Sequence, residues 1–267
     1  MTYRLIALDV DGTLLNDEHQ LSEQNRNTIL EAAKQGAEIV LCTGRGPGNS
    51  IPFMEELGLK GYVISHNGAA TVDVVTREIV HQFPLDPLAL DPYTEYCREH
   101  GIHFDVNTAF GLYVDQPQGL KLEVRSMYEA FLMEPLQLPG WLDFEEPVVK
   151  FTAFGSMDEL DRVYADWSLW TQSVNMLRSG DFFIDLMHKE ASKGAALKQL
   201  AERRGFKQEE VLAIGNYYND LSMITFAGKG IAMSNSPEEV KAAADEVTGS
   251  NNEDGVHQAI LKHVLQG

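Results

Sequence analysis

The sequence predicts an α/β protein: a doubly wound parallel-sheet core built from both ends of the chain, with an α+β unit inserted between them. Three observations predict it. Over the first 65 residues, short apolar runs alternate with helically spaced segments in a β-α-β-α-β pattern with short loops. The alternation breaks between residues 84 and 187, where α and β patterns mix without strict order. It returns after Lys189 and holds to the end. The expected boundaries are 1–83 with 188–267 for the core, and 84–187 for the inserted unit. A sheet tolerates such an insertion at a surface loop whose ends stay close. The cleft between the two units is the expected ligand site.

Each element has its reason. Residues 3–8 (YRLIAL) are an apolar run ending in acidic residues, the pattern of a buried parallel strand with function at its C-terminal end. Residues 21–35 carry Ile29, Leu30 and Ala33 at helical spacing, with Ser22 as N-cap and Gly36 as the stop. Strand 38–42, a helix from 52 to 57 stopped by Gly58, and strand 62–65 follow. Residues 72–83 alternate as a hairpin does, and Pro84, Pro87 and Pro92 punctuate the next stretch. The inserted unit is expected to hold helices at 93–100, 122–131 and 157–171, and strands near 104–106, 112–114, 148–154 and 182–187. The closing stretch reads as helix 192–204, strand 211–214, helix 221–227, strand 230–233, helix 237–244, strand 246–248 and helix 255–265.

Composition narrows the function. Of 267 residues, 44 % are apolar and 23 % charged, which excludes disordered, collagen-like and coiled-coil classes. Lys and Arg number 21 against 40 Asp and Glu, so the net charge is −19. Such a surface repels nucleic-acid backbones and anionic lipid, and neither is an expected partner. An anionic substrate therefore needs local positive charge or a metal. Cys42 and Cys97 lie outside any C-x-x-C pair, which argues against a disulfide framework or a thiolate zinc site. Cys42, in Ile39-Val40-Leu41-Cys42, reads as a small buried hydrophobe. The opening MTYRLIALDVDGTLL lacks the marks of a secretory signal. No stretch approaches the ~18 apolar residues of a spanning helix, so the expected location is the cytoplasm.

The chemistry gathers at strand ends. Asp9-Val10-Asp11-Gly12-Thr13 ends the first strand, and open α/β sheets bind ligands outside the carboxyl ends of their strands. Two carboxylates two residues apart would share a side and repel, so something must compensate. A hard cation such as Mg²⁺ suits their oxygens; the alternative is a solvated acidic turn closed by Gly12. Thr43-Gly44-Arg45 ends the second strand, where a hydroxyl and glycine-opened backbone amides can grip phosphate. Lys193, in Ser192-Lys193-Gly194, starts a helix and can hold an anion there. Gly215-Asn216-Tyr217-Tyr218-Asn219-Asp220 ends strand 211–214 and adds oxygens.

Together these residues resemble the four signature motifs of the haloacid dehalogenase superfamily of phosphohydrolases. D-x-D-G-T-L-L, T-G-R, S-K-G and G-N-x-x-N-D occur in order, each after the right element. Only 31 residues separate Asp11 from Thr43, but 149 lie between Thr43 and Lys193. An insertion there resembles the type-two, subclass B cap of the Cof-type sugar phosphatases. The resemblance implies that Asp9 is the nucleophile, forming an aspartyl phosphate. It implies that Asp11 protonates the leaving oxygen and then activates water. It further implies Mg²⁺ as cofactor, held by Asp9, Asp11 through its backbone carbonyl, Asn216 and Asp220. Thr43, Gly44, Lys193 and Asn219 would bind phosphoryl oxygens, and Asn67 would hold the phosphate or leaving group, or only cap its loop. The implied substrate is a small phosphorylated metabolite, a sugar phosphate among the candidates.

One position departs from the pattern. The family usually carries aspartate where this chain has Asn216, and an amide oxygen lacks the charge that favours hard cations. Either the cation binds more weakly, or Asp220 moves against it, or the chain binds without turnover. A non-catalytic phosphometabolite-binding protein using the same pocket stands as an alternative, as does a phosphomutase, which keeps both aspartates but must exclude water from the aspartyl phosphate. His66 reads as a substrate contact or a surface group, and Arg45 as facing the cleft or capping its loop. Trp167 and Trp170 read as core of the inserted unit or as an interface. Asp185 would orient Lys193 or only mark the hinge, and Tyr217 and Tyr218 would narrow the cleft or pack beside the sheet.

Overall fold

The computed structural model describes residues 2–130, 133–170 and 173–266. In chain order, the first stretch holds β1 (Leu5–Leu8), α1 (Glu23–Lys34), β2 (Glu38–Cys42), α2 (Ile51–Glu56), β3 (Gly61–Ser65), β4 (Ala70–Asp73) and β5 (Ile79–Gln82). The middle holds α3 (Asp91–His100), β6 (His103–Asn107), β7 (Leu112–Val114), α4 (Leu122–Ala130), β8 (Leu136–Gln137), β9 (Lys150–Phe154), α5 (Met157–Ser168), β10 (Val174–Gly180) and β11 (Phe183–His188). The last holds α6 (Lys193–Arg204), β12 (Val211–Gly215), α7 (Leu221–Phe226), β13 (Lys229–Ala232), α8 (Glu238–Ala243), β14 (Glu246–Val247) and α9 (Gly255–Ile260). The chain divides into two compact units. One is Met1–Arg45, Ser50–His81 and Ser192–Gly267; the other is Gly46–Asn49 and Gln82–Ala191.

Among the described residues, the first unit's sheet has eight strands in the order β14-β13-β12-β1-β2-β3-β4-β5. The six from β14 to β3 run parallel, and β4 returns antiparallel to β3. Alternate side chains of β1 go to opposite faces. Ile6 and Leu8 pack with Ile29, Ala32 and Ala259 of α1 and α9. Leu5 and Ala7 pack with Leu197, Leu200 and Met223 of α6 and α7. Both faces are covered, which is why β1, β2 and β12 read as unbroken apolar runs. Each such leucine or isoleucine, fully buried, contributes about 1.5–3 kcal/mol.

The helices start where the sequence places their caps. The Ser22 hydroxyl oxygen accepts from the Asn25 N–H at 3.1 Å, and the Ser192 hydroxyl oxygen from the Ala195 N–H at 3.1 Å. Lys193 is therefore the first residue of α6. From β1 the chain builds outward through β2 and β3 on one side, and through β12, β13 and β14 on the other. That reversal opens the crevice in which sheets of this kind bind ligands.

The second unit is α+β. Among the described residues its sheet runs β10-β11-β9-β6-β7-β8, antiparallel except for the parallel pair β7 and β8. One face buries Phe104, Val106, Phe151 and Leu186 against Tyr93, Leu160 and Trp167 of α3 and α5. Trp167 is fully buried and Trp170 packs on the same cluster, so both tryptophans belong to this core. Two strands lie outside the sequence expectation, β8 and β10. In β10 only Val174 is buried, and the run VNMLRSG pairs on one side alone, so it carries no apolar alternation to read. The expected helix ends Phe131 and Thr171 lie outside the described residues. The expected helix 255–265 divides: α9 stops at Ile260, and Leu261–Leu265 form a wider π turn.

His103 and Asp105 alternate to the other face of β6. The Tyr128 hydroxyl donates to Asp105 Oδ2 at 2.9 Å and lies 2.7 Å from His103 Nε2. Its one proton goes to Asp105, so His103 donates from Nε2 and is held as that tautomer. Burial, with Lys121 adding to it, pushes the His103 imidazole from its ordinary 6.5 down to about 4. An unfolded chain takes up a proton near 6.5 that the folded chain refuses until about 4. Stability is therefore lost as pH falls through that window, by up to about 3 kcal/mol. We expect a lower urea midpoint at pH 5 than at pH 7, with a clearly smaller gap in His103→Gln. Equal gaps in the two proteins would place the loss elsewhere.

Candidate active site

The loop after β1 is built to present Asp9. The Asp9 N–H continues the sheet ladder to the Ile214 carbonyl at 3.0 Å. The chain then curls, and the N–H groups of Thr13, Leu14 and Leu15 all donate to the Val10 carbonyl, at 3.4, 3.0 and 3.0 Å. Gly12 makes the bend with φ +77°, a conformation glycine adopts without strain. Two asparagines from late in the chain brace the curl. Asn235 donates to the Gly12 carbonyl at 2.8 Å, and Asn251 to the Leu15 carbonyl at 3.1 Å.

Lys193 reaches this loop from the start of α6. Its ammonium is fully buried and donates to Asp9 Oδ1 at 2.7 Å and to Asp220 Oδ1 at 2.6 Å. The other Asp220 oxygen accepts from the backbone N–H groups of Asn216 and Tyr217, at 2.8 and 3.0 Å. Gly215 is needed beside it: a Cβ there would stand 2.6 Å from the Asp220 side chain. Burial pushes the Asp9 carboxyl from its ordinary 3.8 up to about 7; the Asp220 charge adds to the rise and the Lys193 ammonium opposes it. For Lys193, burial alone would lower the value, but Asp220 and Asp9 outweigh it and hold the ammonium above its ordinary range. One buried cation thus offsets the two carboxylates in part, and the Asp9 carboxyl stays raised beside it.

Asp11 is turned another way. Its carboxylate is half-exposed and takes a fork from Arg45, Nε to Oδ2 at 2.9 Å and Nη2 to Oδ1 at 2.5 Å. Arg45 therefore faces Asp11. Thr13, which sequence reasoning passes over although it stands in the first motif, lies with its hydroxyl 3.0 Å from the Asn216 side-chain oxygen. With its nitrogen turned inward, the Asn216 amide instead reaches Asp9 Oδ2 at 3.0 Å, Thr13 Oγ1 at 3.0 Å and the Asp11 carbonyl at 3.2 Å.

A second cluster joins the ends of β2 and β3. Thr43 is buried and its hydroxyl oxygen accepts from the Arg45 N–H at 3.1 Å. Its carbonyl accepts from the Asn67 N–H at 3.0 Å. Asn67 sits at φ +55°, and its side-chain oxygen accepts from Asn219 at 3.0 Å. Gly44 lies against that amide: a Cβ there would stand 3.1 Å from the Asn67 oxygen. So Thr43, Gly44, Asn67 and Asn219 come together, and Asn219 precedes Asp220 of the first cluster.

Other candidates fall elsewhere. His66 is only 4 % exposed, which corrects its reading as a surface group. Asp185 is held by Thr152 at 3.0 Å and faces Lys150 at 3.7 Å in the second unit, whereas the Lys193 ammonium is held by Asp9 and Asp220. Tyr217 and Tyr218 stand edge to face, and the Tyr218 hydroxyl donates to Glu239. Cys42 is fully buried, and burial pushes its thiol up, so it is an inert core residue.

Among the described residues, no group of three or more His, Cys, Asp and Glu side chains is arranged to hold a metal ion. The spot bounded by Asp9 Oδ2, the Asp11 carbonyl, Thr13 Oγ1 and the Asn216 side chain is nevertheless lined by oxygens, hard donors that fit Mg²⁺.

The model of the haloacid dehalogenase-like hydrolases matches residues 6–260. The chain belongs to this family. Phosphatase YwpJ of Bacillus subtilis (strain 168) is 31 % identical over 286 residues, spanning 98 % of this chain and 100 % of that one. From the same organism, 5-amino-6-(5-phospho-D-ribitylamino)uracil phosphatase YcsE is 30 % identical over 266 residues, spanning 98 % and 96 %. The solved structure of the subclass IIB sugar phosphatase BT4131 superposes with a TM-score of 0.81 at 25 % identity, covering 97 % of this chain and 98 % of that one. This haloacid dehalogenase-like hydrolase is a phosphoric monoester hydrolase with the subclass IIB architecture. No helix among the described residues is long and apolar enough to cross a membrane.

Proposed function

We propose that the chain is a Mg²⁺-dependent phosphatase of small phosphorylated metabolites that works through an aspartyl phosphate on Asp9. The observation that carries this reading is the buried Asp9 at the end of β1, with its Oδ1 on the Lys193 ammonium. An Asp9 oxygen attacks phosphorus, the ester P–O bond breaks, and the leaving oxygen takes a proton from Asp11. Water then attacks the aspartyl phosphate while Asp11 takes its proton, and inorganic phosphate leaves. The Arg45 fork occupies both Asp11 oxygens, so Asp11 must leave Arg45 to carry the proton. Lys193, Thr43 and Gly44 hold the phosphoryl oxygens where charge builds up, with Asn67 and Asn219 beside them. Asp9, the Asp11 carbonyl and the Asn216 amide oxygen would hold Mg²⁺, which when bound would neutralise charge on the phosphoryl group. Asp220 serves chiefly to hold Lys193, since both its oxygens already accept hydrogen bonds. Substrate choice we assign to the inserted unit. YcsE acts on a phosphorylated ribityl compound and BT4131 on sugar phosphates, by their names, and a phosphorylated polyol or sugar is the substrate class we favour here.

The test is a phosphate-release screen of the purified chain against phosphorylated metabolites, with Mg²⁺ and with EDTA. We expect release from a small set of phosphomonoesters, and a loss of about a hundredfold or more in EDTA. Isomerised product without free phosphate would make the chain a phosphomutase. Binding without turnover would make it a phosphometabolite-binding protein.

A further inference from the structure

We propose that the first unit carries a second ligand site, beneath α6 on a face of the sheet, that takes a small zwitterion of the amino-acid type. This site lies beyond the phosphatase reading and does not rest on it. Its basis is a cavity of about 350 Å³ between α6 and the last two strands of the sheet, β4 and β5. Small-molecule sites span roughly 300–1,000 Å³, so this one suits a ligand at the small end. The sheet explains why it opens there. Leu197 and Leu200 of α6 pack in one cluster with residues of β1, β2, β3 and β12, and β4 and β5 carry the sheet past that cover. Ile64 of β3 belongs to the cluster, and Thr71 of β4 is its cross-strand neighbour, so Thr71 points to the α6 face as well. Gln199, on the opposite wall, stands six residues past Lys193, about 9 Å along the helix.

The lining selects the class of ligand. Thr71 is 1 % exposed, and its hydroxyl has no hydrogen-bond partner among the described residues. Buried hydroxyls are normally paired, so this one is placed for a partner that enters the cavity. Leu200 and Val80 supply apolar surface. Burial, with the Arg203 charge adding to it, lowers the His81 imidazole from its ordinary value, so at neutral pH that wall is uncharged. The charged groups are one of each sign. Arg203 is anchored by Nη1 donating to the Val80 carbonyl at 2.9 Å, and a guanidinium has five N–H groups, so donors remain for a carboxylate. Glu202, the next residue, brings a carboxylate for an ammonium. Lys198 stands 4.0 Å from it, but both are exposed, and such a pair holds a carboxylate weakly. A phosphate ester would meet Glu202 as well as Arg203. A carboxylate and an ammonium on one small molecule match both, with a further polar group on Thr71.

The experiment heats the full chain with each common L-amino acid at millimolar concentration, and with inorganic phosphate as the contrast. A ligand that binds only the folded chain raises the melting temperature as its concentration grows. We expect one amino acid or a few to do so, and the matching amine without the carboxylate to do nothing. Thr71→Val keeps the shape and removes the hydroxyl. Without ligand it should melt at the wild-type temperature or higher, since no buried hydroxyl is left unpaired, while its affinity falls roughly tenfold or more. Arg203→Gln, at an exposed position, should weaken binding by a similar factor. Asp9→Asn should bind the amino acid as wild type does, because the ligand does not sit at the strand ends. The proposal falls if no amino acid raises the melting temperature, if phosphate alone does, if Thr71→Val binds within about twofold of wild type, or if Asp9→Asn loses the effect. If an amino acid binds as expected and no phosphoester is turned over, the phosphatase reading falls and this one stands.

Discussion

Asp9→Asn should cut phosphate release roughly a thousandfold or more, on the order of 4 kcal/mol of lost transition-state stabilisation. An amide oxygen is a poor nucleophile, and the acyl phosphate cannot form on it. The variant should nevertheless fold at least as well as wild type. Asp9 and Asp220 flank one ammonium in a buried site, and removing one charge relieves their repulsion while Lys193 keeps its bond to Asp220. The melting temperature should therefore hold or rise while activity collapses, as expected where a functional site sacrifices stability. Release from a generic aryl phosphate within tenfold of wild type would remove Asp9 from the role of nucleophile.

Lys193→Met should do damage on both counts. Its ammonium is wholly buried and bonds to two carboxylates. Breaking a buried ion pair by removing one partner costs about 3–5 kcal/mol, because the remaining charge stays buried without compensation. Phosphate release should fall by about a hundredfold or more, since the proposed mechanism also has this cation hold the transferring group. A double variant separates these effects. Lys193→Met with Asp9→Asn should recover part of the lost stability and none of the activity, a coupling visible in a double-mutant cycle by urea denaturation. If Lys193→Met unfolds at the same urea concentration as wild type, the ammonium is not what balances this site.

Legibility in the sequence followed the range of the physics. Strands covered on both faces, such as β1 and β12, announced themselves as apolar runs, and Ser22 and Ser192 announced the helix starts by local chemistry. Because sheet topology sends strand ends to one edge, the residues after β1, β2 and β12 could be grouped before any distance was known. What could not be read were partners far apart in sequence. Nothing near Asp11 says that its carboxylate lies on Arg45, 34 residues away, rather than beside Asp9. His66 is buried in a left-handed turn, at φ +50°, that no neighbouring residue announces. Nothing local marks Thr13, whose partner Asn216 lies 203 residues away. The edge strand β10 has too little buried surface to impose a pattern.

The order of the strands has a consequence for biosynthesis. β1 lies in the middle of its sheet, between β2 and β12, yet about 200 residues of chain separate β1 from β12. At a ribosomal rate of roughly 5–20 residues per second, β1 waits about 10–40 s with the edge that β12 will cover unpaired. Open strand edges invite pairing with other chains. The inserted unit leaves the ribosome whole during that wait and can fold first, while the half-made sheet depends on chaperones or on its own collapse to stay soluble. Lys193 lacks its Asp220 partner until residue 220 has been translated, so on the proposed mechanism a shorter nascent chain would lack a complete site.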